Sequence, residues 1–227
     1  MSLYAQFHKT TKPALQKKLE KKNIHQVPAV DKVIVSVGIW SLATRKGVKD
    51  YVECAKRNPD MVFVWAGGFS FGAITDGYKE LKAIMDKPPK NVKFIGIVPR
   101  KEMNGIFNMS DVLFMPSFDE LFPMSILEAV NSRKPVLLRD LELYEDILFY
   151  DKDTYAKASD VEGFCEQLSK LASDKEYYEH YQKGSEIIKN FYSKEHVKNL
   201  WREYYLRIYD KWAPVKKLKS WEKRNKK

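Results

Sequence analysis

The stretch Val112–Leu138, VLFMPSFDELFPMSILEAVNSRKPVLL, contains an apolar strand, a loop, a helix and a second apolar strand in immediate succession. Its two strand segments, Val112–Pro116 and Pro135–Leu138, are apolar without a break, which is typical of strands buried on both faces of a parallel sheet. The helix between them, predicted over Met124–Ser132, supplies the crossover that joins two parallel strands. This unit predicts an α/β domain with a parallel sheet.

The same alternation of strands and helices extends to both sides of this unit. Further strands are predicted at Val33–Gly38, Met61–Gly68, Val92–Val98 and, as a short sixth, Ile147–Tyr150, with helices at Gly47–Arg57, Tyr78–Met85 and Arg100–Met109. After residue 160 three helices are predicted, at Val161–Ala172, Asp174–Asn190 and Ser193–Trp212, with Asp160, Ser173 or Asp174, and Ser193 as N-caps. The prediction is a doubly wound, Rossmann-like sheet with a helical C-terminal extension: a basic linker at 1–31, an α/β domain at 32–192, and an amphipathic helix with a basic tail at 193–227.

Composition limits the classes of function. The 227 residues allow one substantial α/β domain. No apolar run is long enough to span a bilayer, and the first residues lack the apolar core of a signal peptide. The two cysteines and four histidines have no metal-ligand spacing, so we expect no metal site. Two isolated cysteines do not form a disulfide framework, so we expect a reduced, cytoplasmic setting.

The net charge of +10 is concentrated at the two ends of the chain. Residues 1–30 carry +5 and residues 211–227 carry +7, which leaves the body close to −2. A near-neutral body disfavours a nucleic-acid surface. The basic ends would suit an anionic partner, or would only increase solubility.

Candidate ligand-binding residues follow the predicted strands, because open parallel sheets bind ligands outside the carboxyl ends of their strands. These positions are Gly38, Gly67-Gly68, Val98-Pro99-Arg100 and Pro116–Glu120. Neither GxGxxG nor GxxxxGK[ST] is present, which disfavours a dinucleotide-binding domain and a P-loop ATPase. Arg45 and Lys46, at the start of a helix, would suit a diphosphate or would simply be solvated.

Two carboxylates, Glu120 and Glu128, lie in the segment Pro116–Glu128. Glu120 precedes the predicted helix and Glu128 lies inside it, so at 1.5 Å per residue they are roughly 8 Å apart along the helix axis. This separation suits two parts of one extended ligand, with sugar hydroxyls at one carboxylate and ribose hydroxyls at the other.

The pattern P-S-x-x-E-x-F-P-x-x-x-L-E-A-x-x-x-x-K-P-V, which begins at Pro116, resembles retaining glycosyltransferase family 4 of the GT-B fold. The resemblance covers residues 33 to about 150 well and the helical tail more loosely. It implies that the α/β domain is the C-terminal, nucleotide-sugar-binding half of such an enzyme, a hexosyltransferase.

The resemblance also implies roles for individual residues. Glu120 would hold hydroxyls of the donor hexose, Glu128 would hold the ribose, and Lys46, with Arg45, would neutralise the diphosphate; Glu120 and Lys46 are the predicted catalytic pair. The remaining donor-binding residues would be Gly38, Gly67, Val98, Pro99, Arg100, Ser117, Phe122, Met124 and Ser125. Because cationic side chains and a helix terminus stabilise the leaving group in this family, no metal or other cofactor is expected.

Three features depart from the family pattern or could mislead. Ile39 follows Gly38 where the family often has an arginine, which puts the role of Arg45 in doubt. Pro123 replaces the commoner glycine and removes one N–H donor. Asp151-Lys152-Asp153 is a D-x-D, the metal motif of another glycosyltransferase fold, but its late position favours a polar turn.

The segment Leu137–Leu148, LLRDLELYEDIL, is similar to bacterial enzymes that glucosylate diacylglycerol. The implied reaction transfers a hexose, from a donor that is most simply a UDP-hexose, to a membrane lipid or polysaccharide. The basic end with Trp212 and Trp221 would then lie on the inner face of the cell membrane. Only residues 1–31 precede the first strand, so we expect the acceptor-binding N-terminal domain to be missing and the chain alone to be inactive. A sugar-nucleotide-binding subunit without chemistry and a polyanion-binding protein remain alternatives.

Overall fold

Six strands form one parallel sheet in the computed structural model, which describes residues 32–37, 43–69, 72–149 and 152–224. The strands are β1 (Lys32–Val37), β2 (Met61–Ala66), β3 (Val92–Gly96), β4 (Val112–Met115), β5 (Val136–Arg139) and β6 (Ala156–Ala158). Their order across the sheet is β3-β2-β1-β4-β5-β6, and every neighbouring pair is parallel. This is the strand order of a doubly wound Rossmann-like domain, which confirms the predicted fold class.

Helices connect the strands, as parallel pairing requires. They are α1 (Val48–Arg57), α2 (Tyr78–Asp86), α3 (Arg100–Met109), α4 (Met124–Asn131), α5 (Leu143–Leu148), α6 (Val161–Ser173), α7 (Lys175–Phe191) and α8 (Lys194–Arg224), with short 3₁₀ turns at Thr44–Lys46 and Gly72–Ile74. Asp160 caps α6, because its carboxylate accepts a hydrogen bond from the Gly163 N–H at 2.8 Å.

The core on one side of the sheet is organised around Tyr51 of α1. Tyr51 is fully buried, and its ring centroid lies 5.2–5.4 Å from those of Phe63, Trp65 and Phe114. Its hydroxyl donates to the carbonyl of Val64 at 3.0 Å, so the ring can be buried with its polar atom satisfied. Aromatic packing therefore fixes α1, and the turn that precedes it, against β2 and β4.

The predicted sixth strand at Ile147–Tyr150 is wrong for residues 147–149, and Tyr150 lies outside the described residues. Ile147 and Leu148 belong to α5, in which Tyr144 and Leu148, four residues apart, are both buried. The helix ends at Phe149, which is left-handed (φ 60°) and donates its N–H to the carbonyl of Glu145. A short apolar run does not distinguish a strand from the last turn of a helix, and the sixth strand is instead Ala156–Ala158.

The described chain divides by its internal contacts into a unit that ends at Ile188 and a unit that begins at Lys189. In the second unit, α8 carries exposed aromatic side chains, and the rings of Trp201 and Tyr205 are stacked at 5.6 Å. The side chains of Trp212 and Trp221, and the whole of residues 1–31, lie outside the described residues. Among the described helices, none combines the length and apolarity that crossing a membrane demands.

Gly184 provides a test of how α7 packs on the sheet domain. A Cβ at Gly184 would lie 2.3 Å from the carbonyl oxygen and 2.6 Å from the Cα of Thr154, and backbone atoms cannot move aside as a flexible side chain can. We expect Gly184→Ala to lower the free energy of unfolding by about 2 kcal/mol in urea denaturation.

The matched control is Gly105→Ala inside α3, where an added Cβ meets nothing within 4 Å. We expect this variant to raise the free energy of unfolding by about 0.5–1 kcal/mol, because alanine favours a helix over glycine. A Gly184→Ala protein as stable as the Gly105→Ala protein would contradict the packing described.

Candidate functional site

The turns after β2, β3 and β4 meet at the carboxyl edge of the sheet. The strand order runs β3-β2-β1 in one direction and β4-β5-β6 in the other, so the crossover direction reverses between β1 and β4. In doubly wound sheets the ligand-binding crevice lies beside this reversal. Gly38, directly after β1, lies outside the described residues.

A cavity of about 570 Å³ occupies this position, within the usual size range of small-molecule sites. Nine of the predicted site residues line it: Lys46, Gly67, Val98, Pro99, Arg100, Glu120, Met124, Ser125 and Glu128. The other lining residues are Ala66, Ile97, Met103, Met115 and Pro123. The cavity therefore has a largely apolar wall and a small number of charged groups.

Lys46 and Glu120 form an ion pair in the cavity. The Lys46 Nζ lies 2.5 Å from Glu120 Oε1, and the two side chains are only 12% and 7% exposed. Charge pairs at such low exposure interact more strongly than surface pairs, because little water screens them. The pair places a cation and a carboxylate side by side, where a ligand with both phosphate and hydroxyl groups could engage each of them.

The backbone around Lys46 is held tightly against the loop that carries Glu120. Lys46 ends a 3₁₀ turn, and Gly47 follows with φ 69°, a conformation that favours glycine. A Cβ at Gly47 would lie 2.1 Å from the Pro116 carbonyl oxygen, so only glycine allows this approach. The N–H of Phe118 also donates to the carbonyl of Arg45 at 2.8 Å.

Glu128 lies in the second turn of α4 and lines the cavity. Its Oε2 atom is buried and has no hydrogen-bond partner among the described residues. Burial raises the pKa of the Glu128 carboxyl, while the nearby charge of Arg100 opposes that rise. A buried carboxylate oxygen without a hydrogen-bond donor lowers the stability of the folded protein. Such an oxygen is suited to accept a hydrogen bond from a hydroxyl of a ligand.

Three predicted site residues do not line the cavity. Arg45 is 54% exposed and forms an ion pair with Asp119 at 3.7 Å. Ser117 is buried at 2% exposure, and Phe122 is exposed. The roles predicted for these three residues stay predictions.

Part of the apolar wall, including Met103 and Met115, was not predicted from the sequence, whereas Val98, Pro99 and Met124 were. Met115 at the end of β4 has its sulfur 3.3 Å from the Ser125 hydroxyl, which donates to it. Met103 and Met115 are buried and look like ordinary core residues. The available signal was their position, since Met115 ends a strand and Met103 lies in the first turn of α3.

Tyr144 is a buried polar residue that does not line the cavity. Its hydroxyl is buried and has no hydrogen-bond partner among the described residues. The pKa of Tyr144 is raised well above its usual range by burial and, secondarily, by the negative charge of Glu120.

Within the described ranges, no cluster of three or more histidine, cysteine or acidic side chains could hold a metal ion. Asp153 of the D-x-D lies in a left-handed turn, with Oδ2 2.8 Å from His180 Nε2 and Oδ1 accepting from the Tyr181 hydroxyl at 3.3 Å. Asp151 lies outside the described residues.

Sequence comparisons identify relatives of this chain. Residues 17–187 match the family model "Glycosyl transferases group 1". The alpha-galactosylglucosyldiacylglycerol synthase of Streptococcus pneumoniae is 37% identical over 175 residues, which is 77% of this chain and 46% of that protein. The processive diacylglycerol alpha-glucosyltransferase of Acholeplasma laidlawii is 38% identical over 119 residues, 52% of this chain and 34% of that protein. The chain thus spans at most about half the length of these relatives.

Solved structures show the same fold. The sucrose-phosphate synthase of Thermosynechococcus elongatus superposes with a TM-score of 0.68 at 16% identity, over 85% of this chain and 48% of that one. The C-terminal domain of a group 1 glycosyl transferase from Francisella tularensis has a TM-score of 0.59 at 20% identity, over 79% of this chain and 92% of that domain. The family match, the relatives and the GT-B-type fold agree, and this chain belongs to the group 1 glycosyl transferase family.

Proposed function

We propose that this chain is the donor-binding half of a retaining glycosyltransferase that takes a hexose from UDP-hexose. The observation that carries the proposal is the arrangement of Lys46, Glu120 and Glu128 around one cavity of about 570 Å³. A nucleotide sugar has a diphosphate, hexose hydroxyls and ribose hydroxyls, and each of the three side chains has the chemistry to bind one of these groups.

The apolar wall supports the placement of the nucleobase. Ile97, Val98 and Pro99 follow β3, and Met103 lies beside them on α3. In our proposal the base lies along Val98–Arg100, and the ribose hydroxyls donate to the unpartnered Oε2 of Glu128. The diphosphate then lies next to Lys46, and the hexose lies against Glu120.

Charge stabilisation is the chemical contribution that we assign to the site. When the bond between the hexose and the diphosphate breaks, negative charge develops on the departing UDP. The Lys46 ammonium and the N–H groups at the start of α4, at Met124 and Ser125, would stabilise that charge without a metal ion. Glu120, which already pairs with Lys46, would hold both the hexose and the lysine in register.

The relatives support a retaining reaction and a lipid acceptor. Both curated names specify alpha linkages and diacylglycerol products or substrates. UDP-glucose is itself an alpha-glucoside, so an alpha product retains the configuration of the donor. We propose the same class of membrane-lipid acceptor here, bound by a domain that corresponds to the other half of these relatives.

Calorimetric titration with UDP-glucose, UDP-galactose and GDP-mannose tests the proposed donor site. We expect UDP-sugars to bind. We expect Glu120→Ala to lower the affinity for UDP-glucose about tenfold or more, because a hydrogen bond to a charged group is lost. UDP should bind this variant at least as well as the wild type, because Lys46 is released from its ion pair. Lys46→Met should lower the affinity for both UDP-glucose and UDP. Absence of binding by all three donors would refute the proposal.

Glu128→Gln should separate stability from binding. The pKa of Glu128 is raised in the folded state, so the folded protein holds the proton more tightly than the unfolded chain does. Stability is therefore lost as pH rises from about 4.5 through the folded pKa. At pH 7 we expect the free energy of unfolding of Glu128→Gln in urea to be about 1 kcal/mol higher than that of the wild type. At pH 4 we expect no difference. The affinity of this variant for UDP-glucose should be lower than that of the wild type.

The control for Glu128→Gln is Glu166→Gln, at an exposed position inside α6. This control should change neither the stability difference between pH 4 and 7 nor the binding. A Glu128→Gln protein less stable than wild type at pH 7 would show that the carboxylate has a stabilising partner and would remove the argument for a ligand hydroxyl.

We also propose that the basic end of the chain contacts an anionic membrane surface. Residues 211–227 carry +7, and α8 has exposed aromatic side chains at Trp201, Tyr204, Tyr205 and Tyr209. Such a combination favours the interface of an anionic bilayer. Co-sedimentation with liposomes should rise with the fraction of anionic lipid, and should fall when residues 211–227 are removed. Sedimentation independent of anionic lipid would contradict this contact.

A further inference from the structure

Arg139, the last residue of β5, is a buried cation with an unusually complete set of contacts. Its Nε donates to the Pro116 carbonyl at 3.0 Å, its Nη1 donates to the Ser159 carbonyl, and its Nη2 pairs with the Asp50 carboxylate. The guanidinium carbon also lies 3.8 Å from the centre of the Phe118 ring. Arg139 does not line the cavity, so it can affect a ligand only through other residues.

Two of these contacts hold the start of the loop that carries Glu120. The hydrogen bond to Pro116 fixes the backbone at the end of β4, and the stacking contact fixes the side chain of Phe118, two residues before Glu120. Phe118 is 53% exposed, so much of its side chain has no protein neighbour to hold it in place. Arg139 thus holds the start of this loop without lining the cavity itself.

The same loop segment also positions Lys46. The Pro116 carbonyl oxygen, which accepts from Arg139, is the atom against which Gly47 lies. The N–H of Phe118 donates to the carbonyl of Arg45. The residues on both sides of Lys46 therefore contact the segment that Arg139 holds.

The chemistry of these contacts requires arginine. A guanidinium is planar, donates in several fixed directions at once and stacks on an aromatic ring, whereas an ammonium is a compact point charge. Lysine at position 139 could keep the ion pair with Asp50, but could not make the stacking contact and the two carbonyl hydrogen bonds in the same geometry. The ion pair alone would satisfy the charge without fixing the loop.

We propose that Arg139 is a positioning residue that sets the relative placement of Lys46 and Glu120, and through them the binding of the diphosphate and hexose of the donor. The inference rests on the proposed function for its ligand, but the placement of Lys46 can be measured without any ligand. The base end of the cavity, at Ile97–Arg100, follows a different strand and should not depend on Arg139.

The test compares Arg139→Lys with wild type in two measurements. The first is titration with UDP-glucose, alongside uridine binding by ligand-observed NMR. We expect the UDP-glucose affinity to fall about tenfold or more and uridine binding to stay within twofold. The second is the rate at which Lys46 is acylated in the ligand-free protein, read from its peptide by mass spectrometry. We expect that rate to rise several-fold, since Lys46 is only 12% exposed and paired in the wild type.

Two further variants separate positioning from stability. Gly184→Ala destabilises the domain away from the cavity, and should leave UDP-glucose affinity and Lys46 acylation unchanged well below its melting temperature. Phe118→Leu removes the stacking contact at an exposed position, and should reproduce a weaker form of the Arg139→Lys effect, about threefold. If Arg139→Lys fails to fold, Phe118→Leu decides the question by the same two measurements.

Unchanged UDP-glucose affinity and unchanged Lys46 acylation in Arg139→Lys would overturn the proposal, as would effects no larger than those of Gly184→Ala. If the wild type binds no sugar nucleotide, the proposed function fails and the acylation rate alone decides the role of Arg139. Faster acylation then supports positioning, and an unchanged rate refutes it.

Discussion

The carbonyl oxygen of Pro116 is the atom at which the parts of this site meet. It accepts a hydrogen bond from Arg139 Nε at 3.0 Å, and it lies so close to Gly47 that no other residue could stand there. The end of β4, the turn before α1 and the buried guanidinium of Arg139 therefore all contact this one oxygen or its immediate surroundings. The ion pair of Lys46 and Glu120 forms because the two backbone segments that carry these residues are held in contact there.

Two kinds of contact position the charged residues of the site. Glu128 is carried by α4, so its position is set by a helix packed on the sheet, with Ile126, Ala129 and Val130 buried. Glu120 and Lys46 are carried by loops, whose positions depend on hydrogen bonds and on stacking. In our proposal a helix therefore positions the ribose anchor, and contacts between backbone segments position the groups at the diphosphate and hexose.

Much of this arrangement could be predicted from the sequence, because its signals are local. Unbroken apolar runs indicated buried parallel strands, and five of the six were placed within one or two residues of the observed ends. The turns that follow such strands lie on one edge by geometry alone, so Lys46, Val98 and Glu120 were expected to lie near one another. Asp160 was recognised as an N-cap, because capping depends only on neighbouring residues.

The remainder depends on contacts between distant segments, which a single sequence does not specify. The sequence shows Arg139 only as a charged residue after PVLL, and its proposed role arises from contacts with Phe118 and with Pro116, 23 positions earlier. The direct pairing of Lys46 with Glu120 spans 74 positions. Ile147–Tyr150 was assigned to a strand because the apolar run is short. The burial of Tyr144 and Leu148 on one face of a helix is visible only in the structure.

The central claim is that one cavity binds all three parts of a nucleotide sugar. A crystal structure of the chain soaked with UDP-glucose tests it most directly. We expect the uracil along Val98–Arg100, the ribose hydroxyls on Glu128, the diphosphate beside Lys46 and the glucose hydroxyls on Glu120. A nucleotide bound elsewhere on the domain, or bound in the cavity with Glu120 and Glu128 both free of contact, would contradict the account.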